Sequence, residues 1–230
     1  HYPLRRQRQM CIRDSLSIGE IQKLDKINLV ACGTAFHASK IMAEYIRKYS
    51  NIPVETFRGS EFPALETCSS KTLTIGLSQS GETKDTLDAL LQAKKYGSHI
   101  GSICNVIGST ISRLTGNGAY LYAGPEYAVA STKVYTNMIA VGLLFALTIS
   151  NITHKNQREI VTELRKIPNL MAKQLIDEDG SIDMAVKLLY GQKNILFIGR
   201  GPLCTNLVEE GALKMMDCLL YTSPSPRDGL

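Results

Sequence analysis

Thr72-Leu73-Thr74-Ile75-Gly76-Leu77-Ser78-Gln79-Ser80-Gly81-Glu82-Thr83 is an apolar, partly β-branched run that ends in hydroxyls and a glycine. A helical pattern from Thr83 to Tyr96 follows, with Leu87, Leu90, Leu91 and Ala93 on one face. A buried strand therefore hands over to a helix at Ser78 to Thr83. A helix N-terminus leaves its first N–H groups unpaired and carries roughly half a positive charge, so it attracts anions. With Ser78, Ser80 and Thr83 as added donors, the turn reads as a cradle for a small phosphorylated ligand. It also reads as ordinary turn chemistry, with Ser80 as N-cap and Glu82 in the first helical turn. The lysine-bearing nucleotide loop G-x-x-x-x-G-K-[ST] and the dinucleotide pattern G-x-G-x-x-G are both missing from this stretch.

Working outward, similar apolar runs recur at Ile27 to Cys32, Val54 to Phe57, Ile100 to Cys104 and Ala119 to Ala123. Helical spacing separates them, as in Ala35 to Tyr49 with Ile41, Tyr45, Ile46 and Tyr49. Alternating strands and helices with continuous apolar strands predict an α/β fold: a doubly wound, parallel, five-stranded sheet. Ligands of such sheets sit beyond the carboxyl ends of the strands, at a switch point. That rule gathers Cys32-Gly33-Thr34-Ala35, Ser78-Gln79-Ser80-Gly81, and Gly124-Pro125-Glu126 with Val129-Ala130-Ser131-Thr132-Lys133 around one pocket.

The chain of 230 residues is 44% hydrophobic and 20% charged, the composition of a folded protein with a real core. Its net charge is +5, but the terminal stretches 1–15 and 218–230 hold five basic against two acidic residues. The nearly neutral remainder does not support nucleic-acid binding. Six cysteines occur without C-x-x-C or a histidine at metal-ligand spacing, so no metal is expected, and a reducing, cytoplasmic compartment fits. Cys32 and Cys104 end apolar runs and read as small buried hydrophobes. The apolar stretch Val134 to Ile149 is too short for a membrane span and reads as a helix buried on most of its circumference.

After Ser150 long helices take over. Ile160, Val161, Leu164, Ile167, Leu170, Met171 and Leu175 keep an apolar stripe, with Pro168 as a kink or restart. Asp183 to Tyr190 is a further helical piece. Asn194-Ile195-Leu196-Phe197-Ile198 then reads as a strand, followed by a glycine-rich turn and a helix carrying Glu209, Glu210, Lys214 and Asp217. The expected organisation is a first domain over 16–150, linking helices over 151–192 and the truncated opening of a second, similar domain over 193–217. The tails 1–15 and 218–230 share no periodicity with the core and are expected to be non-native sequence.

Four collinear motifs carry a resemblance: Ala31-Cys32-Gly33-Thr34, Leu77 to Thr83, Val129 to Lys133, and Glu210-Gly211-Ala212-Leu213-Lys214. Together they resemble the isomerase half of glutamine–fructose-6-phosphate aminotransferases, which consists of two sugar-isomerase (SIS) domains of flavodoxin-like type. The resemblance implies an enzyme that makes glucosamine 6-phosphate from fructose 6-phosphate and glutamine-derived ammonia, with no metal and no organic cofactor. It implies that Ser78, Gln79, Ser80 and Thr83 hold the sugar phosphate. Gly33, Thr34 and Ala35 would line the pocket, and Val129, Ala130 and Ser131 would contact the sugar. Ala35 stands where many members have serine.

The catalytic pair implied by the resemblance is Lys214 and Asp217, which lie three apart on one helix face. The family has a glutamate at the second position, as the base that moves a proton between C1 and C2. Asp217 is one methylene shorter, a displacement of about 1 Å that can cost ~10²-fold. An ordinary exposed ion pair is the alternative for these two residues. The family's later histidine and lysine, and its glutaminase domain, lie outside this chain, so a fragment inactive alone is expected. The partners implied are the sugar phosphates, a glutaminase domain and a second copy in a homodimer, without nucleic acid or membrane. A sugar-phosphate-sensing module of a regulator and an amino-sugar deglycase or isomerase share parts of the pattern. The Val129 to Lys133 and Glu210 to Lys214 segments favour the aminotransferase.

Overall fold

In the computed structural model, which describes residues 17–127, 131–176, 180–192 and 194–219, the apolar runs become parallel strands. They are β1 (Lys26–Ala31), β2 (Val54–Arg58), β3 (Thr72–Ser78), β4 (His99–Cys104) and β5 (Gly118–Tyr120). They form one five-stranded sheet in the order β2-β1-β3-β4-β5, every neighbouring pair parallel. This is the doubly wound sheet expected from the alternation of runs. Every residue of β3 is buried, as a strand covered on both faces requires. The last strand is shorter than its apolar run. Leu121 still donates its N–H to the Cys104 carbonyl (3.0 Å), and Asn105 Oδ1 takes the Ala123 N–H (2.9 Å).

Alternation along β1 assigns the two faces. Ile27, Leu29 and Ala31 pack with Phe36, Ile41, Met42, Val134 and Met138. Val30 packs with Phe62, Ala64, Ala89 and Ala93 on the other side. The first face is covered by α2 (Gly33–Tyr49) and α6 (Lys133–Thr148). The second face carries α3 (Ala64–Thr67), α4 (Lys84–Lys95) and α5 (Thr110–Thr115). A short α1 (Ile18–Ile21) precedes β1, held by a reciprocal capping box between Ser17 and Glu20.

In the helix read as buried on most of its circumference, full burial follows mainly one stripe and most of the rest is half-buried, with Ile139, Val141 and Phe145 packed on the same core. Val134, Met138, Gly142 and Ala146 recur at four-residue steps along the stripe, joined by Tyr135 and Leu147, while Leu144 is 41% exposed. The stripe meets α2 so closely that a Cβ on Gly142 would lie 2.9 Å from Met42 Cβ.

Beyond α6 run α7 (His154–Leu164), α8 (Ile167–Ile176), α9 (Ser181–Leu189) and α10 (Pro202–Leu219). Pro168 marks a restart: it is the second residue of α8, where its missing N–H costs no helical bond. The stretch Asn194 to Ile198 is not a strand. A strand exists through its ladder partners, this stretch pairs with none among the described residues, and Leu196 and Ile198 are each 82% exposed. Cys218 and Leu219, the first residues of the expected tail, continue α10; the rest of both tails lies outside the described residues. No described helix is long and apolar enough to cross a membrane.

The α2–α6 contact gives a stability test. Gly142→Val inserts two methyls against Met42 and should lower the unfolding free energy by about 1–3 kcal/mol, read from denaturant titration. An unchanged midpoint would contradict the close approach.

Candidate functional site

The site starts at the carboxyl end of β3. Ser78 is buried, its Oγ accepts the Gly81 N–H (2.9 Å) and it shares a hydrogen bond with Thr83 Oγ1 (2.9 Å). The turn closes because Gly81 adopts φ +67°, and a Cβ there would lie 2.0 Å from Ser109 Oγ. Ser80 is not the helix cap; its Oγ accepts the Glu82 N–H (3.1 Å), and Thr83 is the N-cap of α4. Thr83 caps without a side-chain bond to the helix backbone, so the first-turn N–H groups of α4 keep no intrahelical or capping acceptor. Glu82 ties the turn to α5, its Oε1 accepting the Thr110 N–H (2.8 Å). The Thr110 hydroxyl, together with this N–H, holds the Glu82 carboxyl below its ordinary value.

Beside this turn lies a cleft of about 250 Å³ lined by Cys32, Thr34, Ala35, Gln79, Glu126, Ser131 and Met138. It opens where the strand order reverses, between the ends of β1 and β3. Of the expected ligand-binding residues, Thr34, Ala35, Gln79 and Ser131 line it. Gly33 opens α2 next to it at φ +53°. Ser78, Ser80 and Thr83 form the adjoining turn without lining the cleft, and Val129 and Ala130 lie outside the described residues. Cys32 differs from its expected place: it is half-buried on the cleft wall. Cys104 is fully buried, and burial pushes its thiol up to about 11.

Glu126 belongs to a segment that the strand-end rule brings to the pocket, but its own role shows only in the fold. Its Oε2 accepts Ser131 Oγ and the Val134 N–H, both at 3.3 Å. A carboxylate thus sits on the N-terminal turn of α6, where helix N–H groups favour it. Tyr135, in the same turn, buries its hydroxyl without a hydrogen-bond partner among the described residues. Burial, with the nearby Glu210 and Tyr45, pushes that hydroxyl up to about 12.

Behind Thr34 lies α10, which packs against α2 without lining the cleft. Glu210 is 4% exposed, and its carboxylate is shared out between partners on two helices. Oε1 accepts Thr34 Oγ1 (3.0 Å) and meets Lys214 Nζ (3.0 Å), while Oε2 meets His37 Nδ1 (2.7 Å). Lys214 Nζ also donates to Thr34 Oγ1 (2.9 Å) and to Asp217 Oδ2 (3.4 Å). Burial pushes the Glu210 carboxyl up, but the bonds from His37, Lys214 and Thr34 and the Lys214 charge outweigh it, leaving the group below its ordinary 4.5. Lys214 and Asp217 do share a face, yet they are not an isolated exposed pair: through Thr34 they adjoin the cleft wall. His37, Glu209 and the role of Glu210 were missed at the sequence level. The available signals were the i, i+4 spacing of Glu210 to Lys214 and the i, i+3 spacing of Thr34 to His37.

Residues 20–148 match the SIS domain model. The chain belongs to the SIS-domain family. Among curated SIS relatives, the glutamine–fructose-6-phosphate aminotransferase (isomerizing) of Caldanaerobacter subterraneus subsp. tengcongensis is 39% identical over 86% of this chain and 33% of its own length. That of Chlorobaculum tepidum is 40% identical over 87% and 33%. The chain thus spans about one third of the curated relatives it matches. Among solved structures, the C-terminal domain of the glucosamine–fructose-6-phosphate aminotransferase of Francisella tularensis superposes with a TM-score of 0.80. It is 31% identical and covers 87% of this chain and 57% of that one. Glucosamine-6-phosphate deaminase of Thermotoga maritima shares the fold, with a TM-score of 0.62 at 17% identity over 86% of this chain and 60% of its own.

The Glu210 network carries a pH signature. Because the folded-state carboxyl titrates below 4.5, its contribution is present above that value and is lost as pH falls through the lower folded value. The protection factors of α10 amides, after allowing for the intrinsic pH dependence of exchange, should therefore fall in acid below that value while those of β3 amides hold; an equal response of both would contradict the assignment. In the turn, Gly81→Ala should cost about 1–3 kcal/mol, measured by thermal unfolding.

Proposed function

We propose that this chain is a sugar-phosphate-binding isomerase region, taken from an enzyme that makes glucosamine 6-phosphate from fructose 6-phosphate and glutamine-derived ammonia. The observation that carries the reading is the pairing of two features at the β1/β3 switch point. A hydroxyl-lined turn stands before the uncapped N-terminus of α4, and a polar cleft opens beside it. The turn takes the phosphate: the first N–H groups of α4, Ser80 Oγ and Thr83 Oγ1 are donors facing a dianion, with Ser78 as the buried strut that shapes them. The cleft takes the sugar, whose hydroxyls meet Gln79, Thr34, Ser131 and Glu126.

In this reading Lys214 and Asp217 serve the carbon end. Moving a hydrogen between C1 and C2 of an open-chain ketose needs a carboxylate that takes a proton from one carbon and returns it to the other. It also needs a cation that steadies the negative charge developing on oxygen. Asp217 has the chemistry of the base and Lys214 that of the cation, both on the α10 side of Thr34. The names and identities of the curated relatives support the same substrate pair. The reading includes a glutaminase domain as ammonia source and a homodimeric assembly.

Fructose 6-phosphate at a hundred times its Kd should raise the melting temperature by roughly 5–10 °C, and unphosphorylated fructose should not. Equal protection by both sugars would remove the phosphate site. Ser80→Ala combined with Thr83→Ala should weaken binding of fructose 6-phosphate ~10–100-fold by calorimetry while leaving the fold intact. Unchanged affinity would count against the turn as the phosphate holder.

A further inference from the structure

Two oxygens of one buried carboxylate serve different masters. Glu210 Oε1 takes Thr34 Oγ1 and Lys214 Nζ, the groups that adjoin the cleft, whereas Oε2 is held by His37 Nδ1 at 2.7 Å. An ionised carboxylate only accepts, so the bond places a proton on Nδ1. We propose that His37 is a positioning residue for the cleft, acting through Glu210 to hold Lys214 against Thr34; the proposal rests on reading the cleft as a sugar-phosphate site.

The physical reason is the softness of the last glutamate torsion, which is broad and roughly two-fold. Bonds to Oε1 alone leave the carboxylate plane free to turn about that oxygen. A second bond at Oε2 fixes the plane and, with it, the direction from which Oε1 meets the ammonium. His37 is suited to be the fixed end. It is buried, lies one turn after Thr34 on α2, and tilts against Phe36 with ring centroids 6.2 Å apart. Its Nε2 faces Glu209 at 3.8 Å, beyond hydrogen-bond distance, and Glu209 is itself held by Lys40 Nζ at 2.5 Å. Neither His37 nor Glu209 lines the cleft, so the effect on a ligand passes through Lys214 and Thr34.

Two substitutions separate positioning from packing. His37→Asn keeps an N–H donor near the place of Nδ1 but loses ring volume; His37→Phe keeps the ring and loses the donor. The first readout is the side-chain ammonium ¹H–¹⁵N signal of Lys214 in the ligand-free chain, assigned by its disappearance in Lys214→Met. The second is the calorimetric Kd for fructose 6-phosphate. We expect the Phe variant to shift or broaden the Lys214 signal and to weaken binding by roughly tenfold, and the Asn variant to stay near the parent in both. A Phe variant with an unmoved Lys214 signal, or one that outperforms Asn, would overturn the proposal, since that order is what packing alone gives. If the parent chain does not bind fructose 6-phosphate, the functional reading fails, and the Lys214 signal still decides whether His37 sets the lysine.

Discussion

The pairing of β1 with β3 is the constraint on which the site depends. These two strands lie side by side, register running from Lys26 opposite Thr72 to Val30 opposite Gly76. Yet the chain leaves them for opposite faces. From β1 it passes into α2 on one face of the sheet, and from β3 into α4 on the other. Two adjacent strand ends whose continuations part company leave a crevice between them, and no side chain needs to be removed to make it. The burial of every β3 residue fixes the floor of that crevice. The left-handed Gly81 and the close neighbour Ser109 fix its rim.

Charge around the crevice follows desolvation. An ionised carboxylate shielded from water is costly unless its oxygens are occupied. Glu126 and Glu210 meet that demand with donors that include a second element. Glu126 takes donors from Ser131 and the backbone of α6, and Glu210 takes them from α2 and its own helix. The oxygens of these two carboxylates are thus committed, and the turn after β3 is where first-turn N–H groups without an intrahelical acceptor collect. In the proposed reading an anion is accommodated there, and Lys214 and Asp217 lie on the other side of Thr34.

How much of this is legible in the chain alone depends on the range of each interaction. The strands are legible because continuous apolar, β-branched runs suit only a sheet covered on both faces. The serine turn is legible because a strand, a hydroxyl cluster and a helix follow one another within a few residues. Two local readings nevertheless failed. Ser80 is a better N-cap by type than by place, because the φ +67° turn at Gly81 delays the helix to Lys84. Asn194 to Ile198 has strand composition, but composition supplies no partner, and without a ladder among the described residues it is not a strand, with Leu196 and Ile198 exposed.

Short-range pattern in the sequence by itself determined the parallel α/β class, the order of strands and helices, the hydroxyl-rich turn after β3 and the shared face of Lys214 and Asp217, since each needs only neighbours in the chain. Tertiary structure alone decided that Thr34 and His37 meet Glu210, 176 and 173 positions away. It also decided that Glu126 lines the cleft, and which stripe of α6 is fully buried. The reason is the same in each case. A hydrogen bond between distant helices, or the covering of one helix face, depends on which surfaces the folded sheet brings within a few ångströms, and spacing along the chain carries no record of that distance.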